Sequence, residues 1–591
     1  MHTRWRLPLA LAVLFIVSAG LMIGAMQQET ATVDETVFLG AGWSYWLGHR
    51  YRLNPEHPPL MQLLASSPAK LLDPKLSAFG DALLSGHAMA ETSERWDLWE
   101  GGDVLRTAEL FPRGPTFYHY PYNEQSAFGG DFVYGGQNDA ERLLFWGRIP
   151  EIMLTLLTAL IVCQWARCTE SNAAGLLAAA MLLLNPVILA YGHIVQSDIG
   201  MAMTFPLSVW IFARLLEAPG MRTATFAGLT AGLALATKYT AVILVPTLAV
   251  LSMLHCRRHR ETQVRLLKWL LIVAAIAWGM ILLLYVPRWS PAPPIDAATA
   301  AKLAIPHWLI RFRRVLIPAE YFRGLTLTWL HTSKGSDSYL NGEWSRTGWW
   351  YYFPLAFAMK TPLPFLVFAG VGLGLAMRRW RELKFAEVAA WAGAVVYLLC
   401  AMSSKTDIGI RHILAVYPLI SVGAACSLTR WIRQSRTGQQ RRPGWLVGAL
   451  PASALAVVLL AYPQFLSYMN PLAGGTGNGY RHLLDSNYDW GQDVIRLKRF
   501  LKERGIDRIY LQYFGTQAAI DYYKIPYDFV DSDAAKQIQT GCLVVSAQAL
   551  MRPEWKWLRD SRKPVARVGY SLFVYEITPP PHPTLPTAPQ S

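Results

Sequence analysis

Long apolar runs alternate with short polar segments along most of the chain, and this alternation predicts a polytopic membrane protein. Each run is long enough, or nearly long enough, to cross a hydrocarbon core of roughly 30 Å as a helix. The pattern predicts about eleven spans. Their expected bounds are Leu7–Met26, Leu143–Trp165, Ala173–His193, Met201–Leu216, Thr223–Thr237, Tyr239–Leu254, Leu266–Val286, Trp350–Met377, Phe385–Met402, Ile408–Trp431 and Trp445–Leu466.

One position decides how the middle of this pattern is divided. Lys238 interrupts the apolar stretch from Thr223 to Leu254. A lysine in the middle of a bilayer is costly, so two short spans that turn at Lys238 are favoured over one long helix. With this division, the dense Arg and Lys clusters after residues 256, 377 and 429 all fall on the cytoplasmic side, as the positive-inside rule requires.

Four regions lie outside this pattern. Residues 27–141 and 287–348 are predicted as large external loops, and the second of them carries basic residues suited to an anionic ligand or lipid head group. Residues 467–578 are predicted as a small external α/β domain, with a helix at Asp493–Arg504 and strands at 508–514, 542–546 and 572–577. Residues 579–591 form a Pro-rich tail predicted to be disordered.

Composition supports a membrane protein and argues against a nucleic-acid-binding one. Of the 591 residues, 53% are hydrophobic and 16% are charged, whereas soluble domains carry roughly 25% charged residues. The net charge of +15 comes from clusters between apolar runs, and no nucleic-acid motif accompanies it. The six cysteines form no CxxC pair, so neither a disulfide framework nor a structural zinc site is indicated.

The first candidate for chemistry is the acidic pair that follows the first span. Asp34 and Glu35 lie just beyond that span, on the external side. A carboxylate at this place can act as a general base toward an acceptor hydroxyl, and we predict that role for Asp34. Glu35 is predicted to bind the acceptor or to steady the loop. The alternative is that two polar residues merely mark the end of the membrane segment.

Further candidates lie at the outer ends of later spans. Asp198 is predicted as a second acid of the same cavity, although an acid there also suits a helix N-cap. Lys360, Arg411 and His412 are predicted to neutralise a phosphate head group; snorkelling of these side chains at the interface is the alternative. The acidic segment Asp485–Asp493 lacks the residues of an EF-hand and is predicted as a structural loop packed on the membrane domain.

In their order along the chain, these motifs resemble those of the bacterial glycosyltransferase family 39, the group that includes the protein O-mannosyltransferases and the aminoarabinose transferase. The resemblance covers nearly the whole chain. It rests on Asp34-Glu35, His57-Pro58-Pro59, Arg148, Gln196-Ser197-Asp198, the segment Gly232–Tyr239, Tyr352-Phe353-Pro354, Lys360-Thr361-Pro362, Arg411-His412 with Pro418, and Asp485–Asp493.

The resemblance implies a mainly α-helical GT-C fold with an extracytoplasmic C-terminal α/β domain, in a bacterial inner membrane. It also implies transfer of a sugar from a polyprenyl-phosphate carrier to a protein, lipid or glycan acceptor, on the external face and with inversion. Asp34 then corresponds to the catalytic base, and His57 lies near the carrier phosphate. No metal or other cofactor is expected, and the first loop has no DxD motif; a divalent cation stays open as an alternative.

Two other functions fit many spans with intramembrane charges. A transporter or flippase of lipid-linked sugars is one alternative, although transporters usually contain internal repeats, and the Asp34–Leu60 pattern occurs once. A non-catalytic assembly subunit that binds protein through its external domain is the other.

Overall fold

The structure is a computed structural model that describes residues 6–49, 51, 53–85, 124–259, 263–288, 318–435 and 444–578. The described residues are mainly helical, with a small sheet near the C-terminus. The basic residues Arg311, Arg313 and Arg314 of the second external loop lie outside the described residues, as does the Pro-rich tail 579–591.

Helices make up the N-terminal four fifths of the described chain. In chain order they are α1 Arg6–Met26, α2 Val33–Trp46, α3 Leu60–Ser66, α4 Ala78–Ser85, α5 Glu124–Tyr134, α6 Ala140–Thr169, α7 Asn172–Leu183, α8 Pro186–Tyr191, α9 Asp198–Glu217, α10 Met221–Thr237, α11 Leu244–His259, α12 Gln263–Tyr285, α13 Ala319–Lys334, α14 Tyr352–Lys360, α15 Leu363–Arg378, α16 Phe385–Met402, α17 Val416–Ser435 and α18 Leu446–Ala461. A short hairpin, β1 Ser338–Leu340 and β2 Glu343–Ser345, precedes α14.

Helices lie at each predicted span position, but two of the predicted spans are divided: Ala173–His193 into α7 and α8, and Trp350–Met377 into α14 and α15. Among the described residues, six helical segments are long and apolar enough to cross a membrane, and further apolar helices are shorter. Among these six segments, Asp198–Glu217 has the largest buried share and Leu266–Tyr285 has the smallest. A helix in a bilayer that packs on several neighbours is central, whereas one with an exposed apolar surface faces lipid.

The division predicted at Lys238 is present. Helix α10 ends at Thr237, Lys238 has an extended backbone, and a 3-10 turn over Tyr239–Ile243 leads into α11. The backbone of Lys238 thus leaves the helix at the position where its ammonium group contacts the Asp198 carboxylate. The break coincides with a buried ion pair between Lys238 and Asp198, and no proline lies at this point.

The C-terminal region folds as predicted into a small α/β unit. Its helices are α19 Val494–Arg504, α20 Gln517–Tyr522, α21 Ser532–Lys536, α22 Ala547–Leu550 and α23 Lys556–Ser561, and its strands are β3 Ile509–Gln512, β4 Tyr527–Phe529, β5 Gly541–Ser546, β6 Ala566–Val568 and β7 Leu572–Ile577. The strand order is β4-β3-β5-β7-β6, with β3 parallel to β4 and β5, and β7 antiparallel to β5 and β6. The strands β4 and β6 were not predicted because each has only three residues.

This unit is joined to the membrane helices by buried polar contacts. Helix α19 turns an apolar face, with Val494, Leu497 and Leu501, toward the core. On the same helix Arg496 reaches Glu29, which follows α1, at 3.6 Å. Glu29 also contacts His193 at 3.0 Å. Since all three side chains are buried, separating the unit from the helices would expose unpaired charges.

Candidate active site

Asp34 lies in the first turn of α2, where a negative charge is favoured by the helix dipole. Its Oδ2 accepts a hydrogen bond from Nη1 of Arg411 at 2.6 Å. The Asp34 side chain is 29% exposed, whereas that of Arg411 is 11% exposed. The carboxylate is therefore held by a cation and still accessible to a ligand.

Glu35, one residue later, is in a different environment. It is fully buried and forms two parallel ion-pair contacts with Arg148, both at 2.7 Å. Its oxygens also accept from the backbone N–H groups of Thr32 at 2.8 Å and Val195 at 3.1 Å. The structure therefore favours the steadying role for Glu35, because its oxygens are occupied by protein groups and enclosed.

Arg148 extends this network through the rest of its guanidinium. Its Nη1 donates to the carbonyls of Met26 and Glu29 at 2.8 and 3.1 Å, and its Nη2 donates to the carbonyl of Thr30 at 2.9 Å. With the two bonds to Glu35, all five N–H donors of the guanidinium are used. One buried side chain of α6 thus fixes the backbone that leads from α1 into the Asp34 turn.

Arg411 lies in a short 3-10 turn before α17, over Ile410–Ile413. Besides Asp34, its Nη1 contacts Gln196 Oε1 at 3.2 Å and Asp198 Oδ2 at 3.8 Å. Its buried Nε has no hydrogen-bond partner among the described residues, and neither does Nε2 of Gln196. Buried polar atoms are nearly always paired in native proteins, so these two unpaired donors beside the Asp34–Arg411 pair are exceptions to that rule.

Asp198 does not act as the helix cap that the sequence also allowed. Ser197 is the N-cap of α9, without a side-chain capping bond, and the Asp198 carboxylate binds the Lys238 ammonium group. Asp198 therefore joins two cations, Arg411 and Lys238, on neighbouring elements. Lys238 was treated in the sequence only as a topological marker; its position in an otherwise apolar stretch was the signal of a site residue.

Histidines surround these charges. His57 Nδ1 lies 3.2 Å from Ser197 Oγ. Burial lowers the pKa of His57 well below its usual range, and the positive charges of Lys238 and Arg411 act in the same direction. His412 is within electrostatic range of the same two cations and of His57 and His331, and its Nε2 has no partner among the described residues. His331, on α13, was not predicted.

Two further carboxyl groups border the site. Burial raises the pKa of Glu56 to about 7, and the charge of Asp34 adds to this rise. Burial also raises the pKa of Asp485 to about 6, against the lowering effect of Arg411. Asp485 has a left-handed backbone, with φ 54°. Sequence reasoning missed both as site residues because their proximity to Asp34 arises only in the folded chain.

Replacing Glu56 with Gln is expected to make stability less dependent on pH. The folded-state pKa lies above the ordinary value of 4.5, so the stability that this group contributes is complete below about 4.5 and lost as pH rises through 7. The melting temperature of Glu56→Gln should exceed that of the wild type at pH 8 and match it at pH 4.5. Glu503→Gln, an exposed control on α19, should show no such trend; an equal difference at both pH values would contradict the expectation.

Lys360 binds backbone carbonyls in the structure, and its role in holding a phosphate with Arg411 stays a prediction. It is 1% exposed, and its ammonium donates to the carbonyls of Leu466 at 2.6 Å and Asn487 at 2.5 Å. Both carbonyls belong to the junction between α18 and the C-terminal unit. In this arrangement Lys360 joins the unit to the membrane helices.

The structure thus brings together most of the predicted site residues. Asp34, Asp198 and Arg411 are in direct contact through Arg411 Nη1, and His57 and His412 border them. In the described ranges, no group of three or more His, Cys, Asp or Glu residues is arranged to hold a metal ion.

Part of the chain matches a known sequence family. Residues 142–285 match the profile of the family described as dolichyl-phosphate-mannose-protein mannosyltransferase. This segment contains Arg148, Gln196, Asp198 and Lys238. No curated protein sequence matches the chain.

Among the solved structures that the chain matches are two at low sequence identity. ArnT from Cupriavidus metallidurans, solved bound to undecaprenyl phosphate, is 13% identical; the alignment covers 98% of each chain, with a TM-score of 0.43. The archaeal oligosaccharyltransferase AglB from Archaeoglobus fulgidus, solved with an inhibitory peptide and a dolichol-phosphate, is 12% identical over 87% of this chain and 64% of its own, with a TM-score of 0.44.

Resemblances at this level do not assign an activity to the chain. The match to the sequence family covers fewer residues than the structural alignments, but it includes Arg148, Gln196, Asp198 and Lys238 of the candidate site. Residues 142–285 have the sequence pattern of the dolichyl-phosphate-mannose-protein mannosyltransferase family.

Proposed function

We propose that the protein is an integral membrane glycosyltransferase with a GT-C-type fold. It transfers a hexosyl or pentosyl group from a polyprenyl-phosphate carrier to an acceptor hydroxyl, on the extracytoplasmic side of a bacterial inner membrane. The observation that carries this proposal is the accessible Asp34 carboxylate, paired at 2.6 Å with an arginine that keeps a buried, unpaired Nε. A base and an anion-binding donor are thereby side by side.

Asp34 and Arg411 have different roles in the proposed reaction. Asp34 removes the proton from the acceptor hydroxyl while the acceptor oxygen attacks the anomeric carbon. The bond from the anomeric carbon to the phosphate oxygen breaks, and the polyprenyl phosphate leaves with the electron pair. Attack from the face opposite the phosphate inverts the anomeric centre. Arg411, with its unpaired donor, stabilises the charge that develops on the phosphate.

The remaining charges support the same assignment. Lys238 places a second cationic side chain beside Asp198, and His57 and His412 add groups able to donate to phosphate oxygens. An approaching phosphate would favour protonation of these histidines, since a nearby opposite charge stabilises the charged form. The chain's own residues thus supply the charge compensation, without a step through a metal ion.

The orientation rests on basic residues at the other ends of the helices. Arg378, Arg379 and Arg433 lie at the C-terminal ends of α15 and α17. The positive-inside rule assigns such ends to the cytoplasm, which leaves Asp34 outside. A cytosolic nucleotide sugar is then not the direct donor.

Replacing Arg411 with Ala is expected to lower kcat/KM for the lipid-linked donor by about 10- to 150-fold, the loss of hydrogen bonds from a charged group. Arg411→Lys keeps the charge but not the planar fork of donors, and should lose about 10-fold. The measurement is release of polyprenyl phosphate from a labelled donor at varied donor concentration.

Arg508 provides a matched control for this measurement. It forms an arginine–aspartate pair with Asp528, but on the surface of the C-terminal unit, where Arg508 is 64% exposed. Such surface pairs contribute little, so Arg508→Ala should transfer sugar like the wild type. Equal kcat/KM for Arg411→Ala and Arg508→Ala would contradict the role given to Arg411.

A further inference from the structure

The acidic segment 485–493, which connects the last membrane helix to the C-terminal unit, contacts the turn that carries Asp34. The backbone N–H of Thr30 donates to the carbonyl of Gln492 at 3.0 Å, and that of Val33 donates to the carbonyl of Trp490 at 3.2 Å. The Thr30 hydroxyl donates to the carbonyl of Gly491 at 2.8 Å. The start of α2 is therefore bonded to this segment through backbone groups.

The same segment also holds the turn that carries Arg411. Ser486 donates through Oγ to the carbonyl of Ile408 at 2.8 Å. The backbone N–H of Ile410 donates to Oδ1 of Asn487 at 2.9 Å. Between them, Gly409 packs so closely on Ser486 that a Cβ there would lie 2.1 Å from Ser486 Oγ. One segment thus positions the turn that carries Asp34 and the turn that carries Arg411, although these turns lie far apart in the sequence.

Trp490 lies between these two sets of contacts. Its ring is 2% exposed, and the guanidinium carbon of Arg411 lies 4.4 Å from the ring centroid. The same guanidinium contacts Asp34 through Nη1 at 2.6 Å. Arg411 is therefore confined between an aromatic face and a carboxylate. Tryptophan is the side chain with the strongest attraction for a cation over its ring.

We propose that Trp490 is a positioning residue of the active site, which holds the Arg411 guanidinium so that Nη1 stays on Asp34. This inference deepens the proposed function and rests on it. The rotamer freedom of a long arginine side chain opposes any single orientation, and the ring surface removes much of that freedom. The C-terminal unit, through this segment, is then part of the catalytic machinery and not only an attached domain.

The test is a double-mutant cycle between Trp490 and Arg411 in the full-length protein. Trp490→Leu should lower kcat/KM for a labelled polyprenyl-phosphate sugar by about 3- to 30-fold, the range of a cation–aromatic contact. Trp490→Phe should recover part of the loss. In the Arg411→Ala background, Trp490→Leu should cause no further loss, because the group that it positions is absent.

Trp555 is the control for packing. It is also 2% exposed and lies in the C-terminal unit that segment 485–493 joins to the membrane helices, stacked on Trp557. Trp555→Leu should lower the melting temperature while the folded fraction keeps its kinetic constants. Independent, multiplicative losses from Trp490→Leu and Arg411→Ala would overturn the inference, as would wild-type kinetics in Trp490→Leu. A wild-type protein that cleaves none of a panel of donors would instead overturn the proposed function, and this inference with it.

Discussion

Replacing Asp34 with Asn is expected to lower the rate of sugar transfer by about 10²- to 10⁴-fold, the contribution of a positioned general base. Asparagine has nearly the same shape, and its Oδ1 can still accept a hydrogen bond from Arg411, but it cannot take up a proton. The folded protein should therefore remain intact. The measurements are the transfer rate with a labelled lipid-linked donor and the melting temperature.

The matched control for this substitution is Asp528→Asn. Asp528 also accepts from an arginine, Arg508, but its side chain is 45% exposed on the C-terminal unit. The Asp528→Asn variant should transfer sugar at the wild-type rate. If Asp34→Asn retained full activity with a normal melting temperature, Asp34 would not be the base.

Replacing the adjacent Glu35 with Ala is expected to have the largest effect on stability. The substitution leaves the buried Arg148 guanidinium without its counter-charge, and breaking a buried pair on one side costs about 3–5 kcal/mol. Backbone N–H groups of Thr32 and Val195 also lose their acceptors. A strongly lowered melting temperature and a low yield of monodisperse protein should result.

A second variant separates the cost of leaving Arg148 without a counter-charge from the cost of removing the Glu35 carboxylate itself. When Glu35→Leu is combined with Arg148→Met, neither member of the pair is left buried without its partner, although the backbone groups that both side chains bonded stay unpaired. The double variant should therefore melt nearer to the wild type than Glu35→Ala does. A stable but inactive Glu35→Ala protein would contradict the steadying role and return Glu35 to the list of groups that contact the substrate.

The two acids Asp34 and Glu35 also show how far the sequence could lead. Their place after the first span, and the positions of the later helices, followed from apolar periodicity and from the basic clusters. What periodicity cannot supply is which of two neighbouring carboxylates faces the cavity. That depends on Arg148, more than a hundred residues away, which takes both oxygens of Glu35 and leaves Asp34 to Arg411.

Lysines in apolar stretches illustrate the same limit. Lys238 and Lys360 both interrupt apolar sequence, and both were noticed for that reason. Lys238 meets the carboxylate of Asp198 at the site, whereas Lys360 meets two backbone carbonyls at a domain junction. A lone lysine in a predicted span indicates a partner, but the partner is chosen by tertiary structure.

The segment 485–493 was predicted as a structural loop packed on the membrane domain, and its contacts fit that prediction. Its position between the Asp34 and Arg411 turns was not predictable, because no local pattern links residues 30–33, 408–411 and 486–492. Glu56 and His331 were not predicted either, because no local pattern links them to the site. Each lies in a predicted external loop, where an isolated polar residue gives no signal.

The most direct test of the account is a transfer assay with the purified protein in proteoliposomes. Polyprenyl-phosphate donors that carry different labelled sugars are incubated with a cell-envelope fraction as the source of acceptor, and both released polyprenyl phosphate and labelled acceptor are measured. We predict that the wild type cleaves at least one donor and labels the acceptor, whereas Asp34→Asn does both about 10²- to 10⁴-fold more slowly. Movement of the intact labelled lipid across the bilayer without cleavage, equal in the two proteins, would contradict the account and indicate a transporter.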